Sequence, residues 1–262
     1  MVSQSNERNN MRKTVVIGGT GLIGSKVVEG LREEDLAVVA ASPDSGVNTL
    51  TGEGLSEALE GASVVIDVSN SPSFDDDAVM EFFTMSTGNL LAAEAEAGVR
   101  HHVALSVVGT DRLSESGYFR AKIAQEQLIG DSSIPFSIVQ ATQFFEFAAR
   151  IGDEATAGDT VRLPQALIQP IAANDVAAAL CEISQRAPAD AVIEIAGPEQ
   201  LPFEEFIQQH LSAKDDPRKV LADPDSRYFG ARLQERSLLP TNAIHLGGTR
   251  FDDWLAEPAV AP

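Results

Sequence analysis

The stretch VVIGGTGLIG, residues 15–24, decides the fold. An apolar run opens directly onto a glycine-rich turn, and an amphipathic pattern begins at once behind it. Gly18, Gly21 and Gly24 recur every third residue. A turn without side chains lets backbone N–H groups and a helix N-terminus approach a pyrophosphate, and a glycine at the third position lets the helix pack closely on its strand. Gly18, Thr20, Gly21, Leu22, Ile23 and Gly24 are therefore the expected dinucleotide contacts of this turn. A glycine turn serving packing alone is the other reading, and its position on the first strand argues against it.

Working outward, helical and extended patterns alternate. A helix is expected over residues 21–34 with Ile23, Val27, Val28 and Leu31 on one face. Strands are expected at LAVVAAS (36–42), GVNTL (46–50), SVVIDVS (63–69), HHVALSVVG (101–109) and PFSIVQA (135–141), the second to sixth of the chain. Helices are expected at 54–62, 74–97 and 114–129. Strands this uniformly apolar are buried on both faces, so a parallel sheet covered by helices is implied. The fold class is α/β, a doubly wound parallel Rossmann sheet with a small C-terminal substrate lobe.

After Gln143 the pattern loosens. Residues 159–185 suggest a short extended pair and then a helix capped by Asn174 or Asp175. A strand and a helix starting near Pro202 follow, then one helix, a loop and a short helix around Trp254. Residues 1–12 are expected to be a disordered lead. Residues 13–262 are expected to form one NAD(P)-binding domain, its C-terminal lobe drawn mainly from about 144–170 and 198–262.

The bulk numbers set bounds on function. The chain has 262 residues and a formal net charge of −20. A field of that sign repels nucleic acid and anionic membranes, so neither is an expected partner. An anionic ligand must then be held by local features. No apolar run is long enough for a bilayer-spanning helix, and the N-terminus lacks a signal-peptide core. The single cysteine, Cys181, excludes an internal disulfide and a cysteine-based zinc site. A cytoplasmic protein acting on a small-molecule substrate is expected. Oligomeric state leaves no signal in the sequence.

The chemistry concentrates in SGYFRAKIAQEQL, residues 116–128. Tyr118 and Lys122 stand four apart, hence on one helix face. A free tyrosine titrates near pH 10, too high for a good base at neutral pH, and a neighbouring ammonium lowers that value. Ser106, at the end of a strand, offers a hydroxyl to a substrate oxygen. A sheet-covering tyrosine and a solvated lysine on an amphipathic helix make up the bland alternative. Asp75–Asp77 read as a helix-start acid run and His101 and His102 as structural or exposed residues at the sheet's amino edge, so no metal site is expected. Phe144, Phe145 and Phe147 are core or the roof of a substrate pocket.

The spacing of the glycine turn resembles the short-chain dehydrogenase/reductase superfamily, especially its extended and atypical members. SVVIDVSNSPS and ALSVVGTD resemble its cofactor-lining and catalytic-serine segments. IAANDVAAAL and IEIAGPEQLPFEEF resemble the C-terminal segments of NmrA-like NAD(P)-binding proteins. The resemblance implies a catalytic set of Ser106, Tyr118 and Lys122, with Tyr118 as general acid/base and Lys122 as both modulator and ribose ligand. It also implies that Val68, Ser69 and Asn70 line the cofactor and that Ala141, Thr142 and Gln143 approach the nicotinamide, although the proline usual in that last loop is absent here.

The choice between NAD and NADP stays open. The second strand ends in Ala40 and Ala41, without the acid that selects NAD, and Ser42 and Asp44 follow where a ribose or its 2′-phosphate would lie. The expected activity is hydride transfer to or from a small carbonyl, alcohol or quinone-like substrate. A non-catalytic NmrA-like redox sensor and an NAD-dependent epimerase or dehydratase are the alternatives.

Overall fold

The protein is described by a computed structural model over residues 13–243 and 245–257. The expected lead at 1–12 lies outside these residues. The first half runs β1 (Lys13–Ile17), α1 (Leu22–Glu33), β2 (Val38–Ala41), α2 (Leu55–Leu59), β3 (Ala62–Asp67), α3 (Asp76–Ala97), β4 (His101–Val107), α4 (Gly117–Gly130) and β5 (Phe136–Ala141). The second runs α5 (Ala148–Glu154), β6 (Thr156–Ala157), β7 (Thr160–Leu163), β8 (Leu167–Ile168), α6 (Ala173–Gln185), β9 (Ala191–Ala196), β10 (Leu201–Pro202), α7 (Phe203–Ala213), β11 (Lys219–Ala222), β12 (His245–Leu246) and α8 (Phe251–Ala256).

The main sheet has seven parallel strands in the order β12–β9–β5–β4–β3–β1–β2. The chain leaves β1 for one edge through β2, then returns to the other side of β1 at β3. That reversal is the topological switch point, where ligands of doubly wound sheets bind outside the strand carboxyl ends. The central strands β1 and β3 are apolar and almost wholly buried because helices cover both faces. On one face α1 lies against α6, where Cys181 Sγ sits 3.6 Å from the Val27 carbonyl oxygen. The other face carries α2, α3 and α4.

Several expectations differ. Residues 46–50 form no strand: the Asn48 side chain accepts from the Leu50 N–H, and Asn89 of α3 donates to the carbonyls of Thr49 and Leu50, so the segment is tied down as a turn. The strands expected as fourth, fifth and sixth are accordingly β3, β4 and β5. Residues 227–243 form no helix, because Phe229 (φ 46°) and Gly230 (φ 84°) adopt left-handed backbone that ends any helical run. Helix α6 is capped by neither Asn174 nor Asp175. It starts after Ala172; the Glu146 carboxylate accepts the Ala173 N–H, while Asp175 binds Thr249.

A second cluster buries Phe145, Phe203, Phe206 and Phe251 together with Leu113 and Phe119 from the first half of the chain. The expected extended pair in 159–172 becomes β7 and β8. They do not pair with each other: β7 lies between β6 and β11, and β8 pairs with β10. Among the described residues, no helix is long and apolar enough to cross a membrane.

Candidate functional site

The glycine turn leaves β1 at the carboxyl edge. Gly18 has φ 76°, and a Cβ there would meet Ser69 backbone at 3.0 Å. The turn therefore lies against the end of β3, and Gly18, Val68 and Ser69 come together at the switch point. A Cβ on Gly24 would strike the Gly18 carbonyl oxygen at 2.1 Å, so this glycine lets α1 seat on the turn. Gly21 differs. Its φ is −79°, it is exposed, and an added Cβ would meet only the Gly18 carbonyl oxygen, at 3.4 Å.

The helix end at Gly21 is open to an anion. The first intrahelical bond runs from Ser25 N–H to the Gly21 carbonyl, 3.0 Å, which leaves the N–H groups of Leu22, Ile23 and Gly24 ahead of it. No side chain among the described residues caps them. Thr20 and Leu22 are exposed beside this end.

The other expected contacts fall along the same edge. Ser42 is buried after β2, and Asp44 stands exposed on a single 3₁₀ turn, Pro43–Ser45. Asn70 is exposed beyond β3. Ala141 closes β5, and the Thr142 hydroxyl donates to the Gln169 carbonyl at 2.6 Å. Gln143 is 5% exposed, yet neither atom of its side-chain amide finds a partner among the described residues. A buried primary amide without partners costs stability unless something supplies them. The aromatic trio divides: Phe145 is core, whereas Phe144 stacks on the exposed Phe147 at 5.3 Å.

Ser106 is the last but one residue of β4, and Tyr118 and Lys122 lie on the first two turns of α4. The Lys122 ammonium is 2% exposed. It donates to the Leu105 carbonyl at 2.9 Å and to the Gln125 side-chain oxygen, and it lies 4.4 Å from the Phe83 ring centre. Lys122 thus reaches the backbone of Leu105, the residue before Ser106. Gln125 in turn donates to Asp67 at 3.2 Å, and Asp67 accepts the Ser69 hydroxyl at 2.6 Å. This chain links α4 to the segment against the glycine turn. Burial brings the lysine pKa down to about 8, opposed by the charges of Asp67 and Glu126.

Tyr118 departs from the expected electrostatics. Its ring is half-buried among Phe74, Phe83, Phe119 and Phe229, with centroids 5.4–6.2 Å away. Burial pushes its hydroxyl up to about 12, not down. Helical spacing puts Tyr118 and Lys122 on one face, but the ring joins an aromatic cluster while the ammonium turns to β4. A hydroxyl with so high a pKa stays protonated at neutral pH.

Several polar residues at this edge were not anticipated. Glu126 continues the Tyr118–Lys122 stripe by one more turn and accepts the Ser106 hydroxyl at 2.5 Å. Gln140 and Thr110 also donate to it, at 2.9 and 3.3 Å. Asp67 and Gln125 complete the set. The four-residue spacing of Tyr118, Lys122 and Glu126 was a readable signal for the first of these. At the amino edge His102 is fully buried against Glu94 at 2.8 Å, and the carboxylate raises the histidine's pKa.

The sheet order, the turn at the switch point and the uncapped helix end make up a doubly wound Rossmann fold of the kind that binds dinucleotides. Residues 18–187 match the family model described as NAD(P)H-binding, and the chain belongs to that family. It is 25% identical over 161 residues to the photosystem II assembly factor Ycf39 of Cyanophora paradoxa, covering 54% of this chain and 50% of that protein. The chain spans about half the length of the curated relatives it matches. Two solved structures share its fold. A short-chain dehydrogenase/reductase superfamily protein from Agrobacterium tumefaciens with bound NAD superposes with TM-score 0.68 at 16% identity, over 93% of this chain and 95% of that one. The NAD-dependent NDP-hexosamine 5,6-dehydratase TunA gives 0.69 at 14%, over 93% and 95%.

The residues present fit such a cofactor. Among the described residues, an added Cβ at Gly21 meets only the Gly18 carbonyl oxygen, the helix end there has no side-chain cap, and the Gln143 amide has no partner.

Proposed function

We propose that this chain is an NAD(P)-dependent oxidoreductase of the atypical short-chain type, acting on a small carbonyl, alcohol or quinone-like substrate. The observation that carries this reading is the approach of Lys122 to β4, where its ammonium donates to the carbonyl of Leu105, the residue before Ser106, with Tyr118 one helical turn from the lysine. When bound, the cofactor supplies the hydride donor or acceptor. The glycine turn and α1 hold its pyrophosphate, Val68–Asn70 and Ala141–Gln143 line it, and Lys122 serves the ribose. Tyr118, kept protonated by its apolar surroundings, gives a proton to the oxygen of a carbonyl undergoing reduction. Ser106 anchors the oxygen of the bound substrate.

Tyr118→Phe tests this directly. NADH and NADPH oxidation is followed over a panel of carbonyls and quinones, and cofactor affinity by fluorescence titration. Turnover is expected to disappear while affinity stays within about twofold, because the phenyl ring keeps the packing and loses only the proton. An active Tyr118→Phe protein removes Tyr118 from the mechanism. The raised tyrosine pKa also suits a second reading, a redox sensor that binds the cofactor without consuming it. Tight binding with no turnover of any panel member by the unaltered protein favours that reading.

A further inference from the structure

The directions of the hydrogen bonds around Glu126 are fixed by chemistry. Ser106 and Gln140 are register partners on β4 and β5, so their side chains share the sheet face beneath α4. Glu126 reaches that face from α4. A carboxylate only accepts, and an amide nitrogen only donates. Gln140 Nε2 spends one hydrogen on Glu126 Oε1 at 2.9 Å and the other on Thr110 Oγ1 at 2.9 Å. Thr110, already accepting, gives its own proton to Glu126 Oε2 at 3.3 Å. The Ser106 hydroxyl stands 2.5 Å from Glu126 Oε1, within the range of a charge-assisted O–H···O⁻ bond. A serine has a single hydroxyl proton, and here it is committed to Glu126.

We infer that Glu126 is a positioning residue that sets Ser106 as a hydrogen-bond acceptor. What remains to Ser106 is lone pairs, so the group it serves must carry a proton. The site then divides its two oxygens by polarity. Tyr118 donates to the carbonyl form of a substrate, and Ser106 accepts from the hydroxyl of the alcohol form. The site therefore holds an alcohol at Ser106 in preference to the matching carbonyl. This inference rests on the oxidoreductase reading of the same site. It also changes that reading, because a serine that donates to a carbonyl needs a proton Ser106 does not have free.

The test uses the full chain with NADPH added, and has a readout apart from turnover. A hydroxyl proton in so short a bond to a carboxylate gives a far-downfield, slowly exchanging proton resonance. It is expected in the wild type and in Tyr118→Phe, and lost in both Ser106→Ala and Glu126→Leu. In Glu126→Gln the bond becomes neutral and weaker, so the resonance moves upfield. This milder variant decides the matter if the leucine protein does not fold. The second readout is KM for the probe pair 1-phenylethanol and acetophenone. Glu126→Leu is expected to raise the alcohol's KM by about tenfold and leave the ketone's unchanged or lower, with Glu126→Gln restoring much of the difference. A wild type without the resonance, a resonance unmoved in Glu126→Gln, or equal changes in both KM values overturns the inference. A wild type that turns over neither probe counts against hydride transfer for this pair, and the resonance alone then decides what Glu126 does.

Discussion

Lys122 carries its charge where there is almost no water, and its titration should be visible in stability. Its ordinary pKa is 10.5, and in the folded chain it falls to about 8 because burial disfavours the ammonium. Below pH 8 both folded and unfolded chains hold the proton, and the native state bears the whole cost of the buried charge. Between about 8 and 10.5 the unfolded chain binds the proton and the native one releases it, so stability rises with pH in that window. Lys122→Met removes this titration. From pH 7 to pH 10 the wild type should gain about 2 to 3 kcal/mol relative to the variant. Tyr118 and Cys181 titrate in both proteins and drop out of the comparison. Urea unfolding of the two proteins at both pH values measures the difference, and parallel profiles would mean that the lysine's proton is not held in this way.

At the level of elements, the seating of α1 on its turn separates two glycines that look alike in sequence. An alanine methyl at Gly24 meets the backbone of Gly18 and Gly19, the nearest atom being the Gly18 carbonyl oxygen at 2.1 Å, and no side-chain movement relieves that. Gly24→Ala should cost about 2 kcal/mol of stability and weaken cofactor binding with it. Gly21→Ala meets nothing closer than 3.4 Å, so its Tm should match the wild type while NADPH affinity falls about tenfold, because the methyl stands where a pyrophosphate must approach. Thermal melts paired with fluorescence titration read both effects. Equal Tm losses in the two variants would make Gly21 a packing glycine. What the sequence shows and hides follows the same division. The turn, the apolar strands and the Ile23–Leu31 face were legible because local periodicity and burial agree there. GVNTL was misread because apolar content alone does not reveal that Asn48 and Asn89 take its backbone bonds. The segment after Arg227 was misread because a phenylalanine at φ 46° has no sequence signature. Within the candidate site, Tyr118 and Lys122 were readable from spacing, whereas the direction of Ser106's proton depends on Gln140 and Thr110, which come together only when β4 and β5 pair.

At the scale of the whole molecule, charge works against the ligand the family binds. The chain holds 39 acidic and 19 basic side chains, for a net −20, and its cofactor is an anion. The ion pairs are mostly exposed and contribute little each. Self-repulsion therefore goes largely uncompensated at low ionic strength, and the long-range field slows an approaching dinucleotide even though the α1 N-terminus attracts its pyrophosphate locally. Salt should act on both in the same direction. Raising NaCl from about 0.02 M to 0.5 M shortens the screening length from about 20 Å to about 4 Å, which leaves contacts at the helix end in place and removes the field beyond them. Tm should rise over that range, and the association rate of NADPH should rise as well, more steeply than that of the less charged NADH. Stopped-flow fluorescence of both cofactors against ionic strength measures this. An association rate that falls with salt would show that the local positive end at Gly21–Gly24, not the acidic surface, governs the approach.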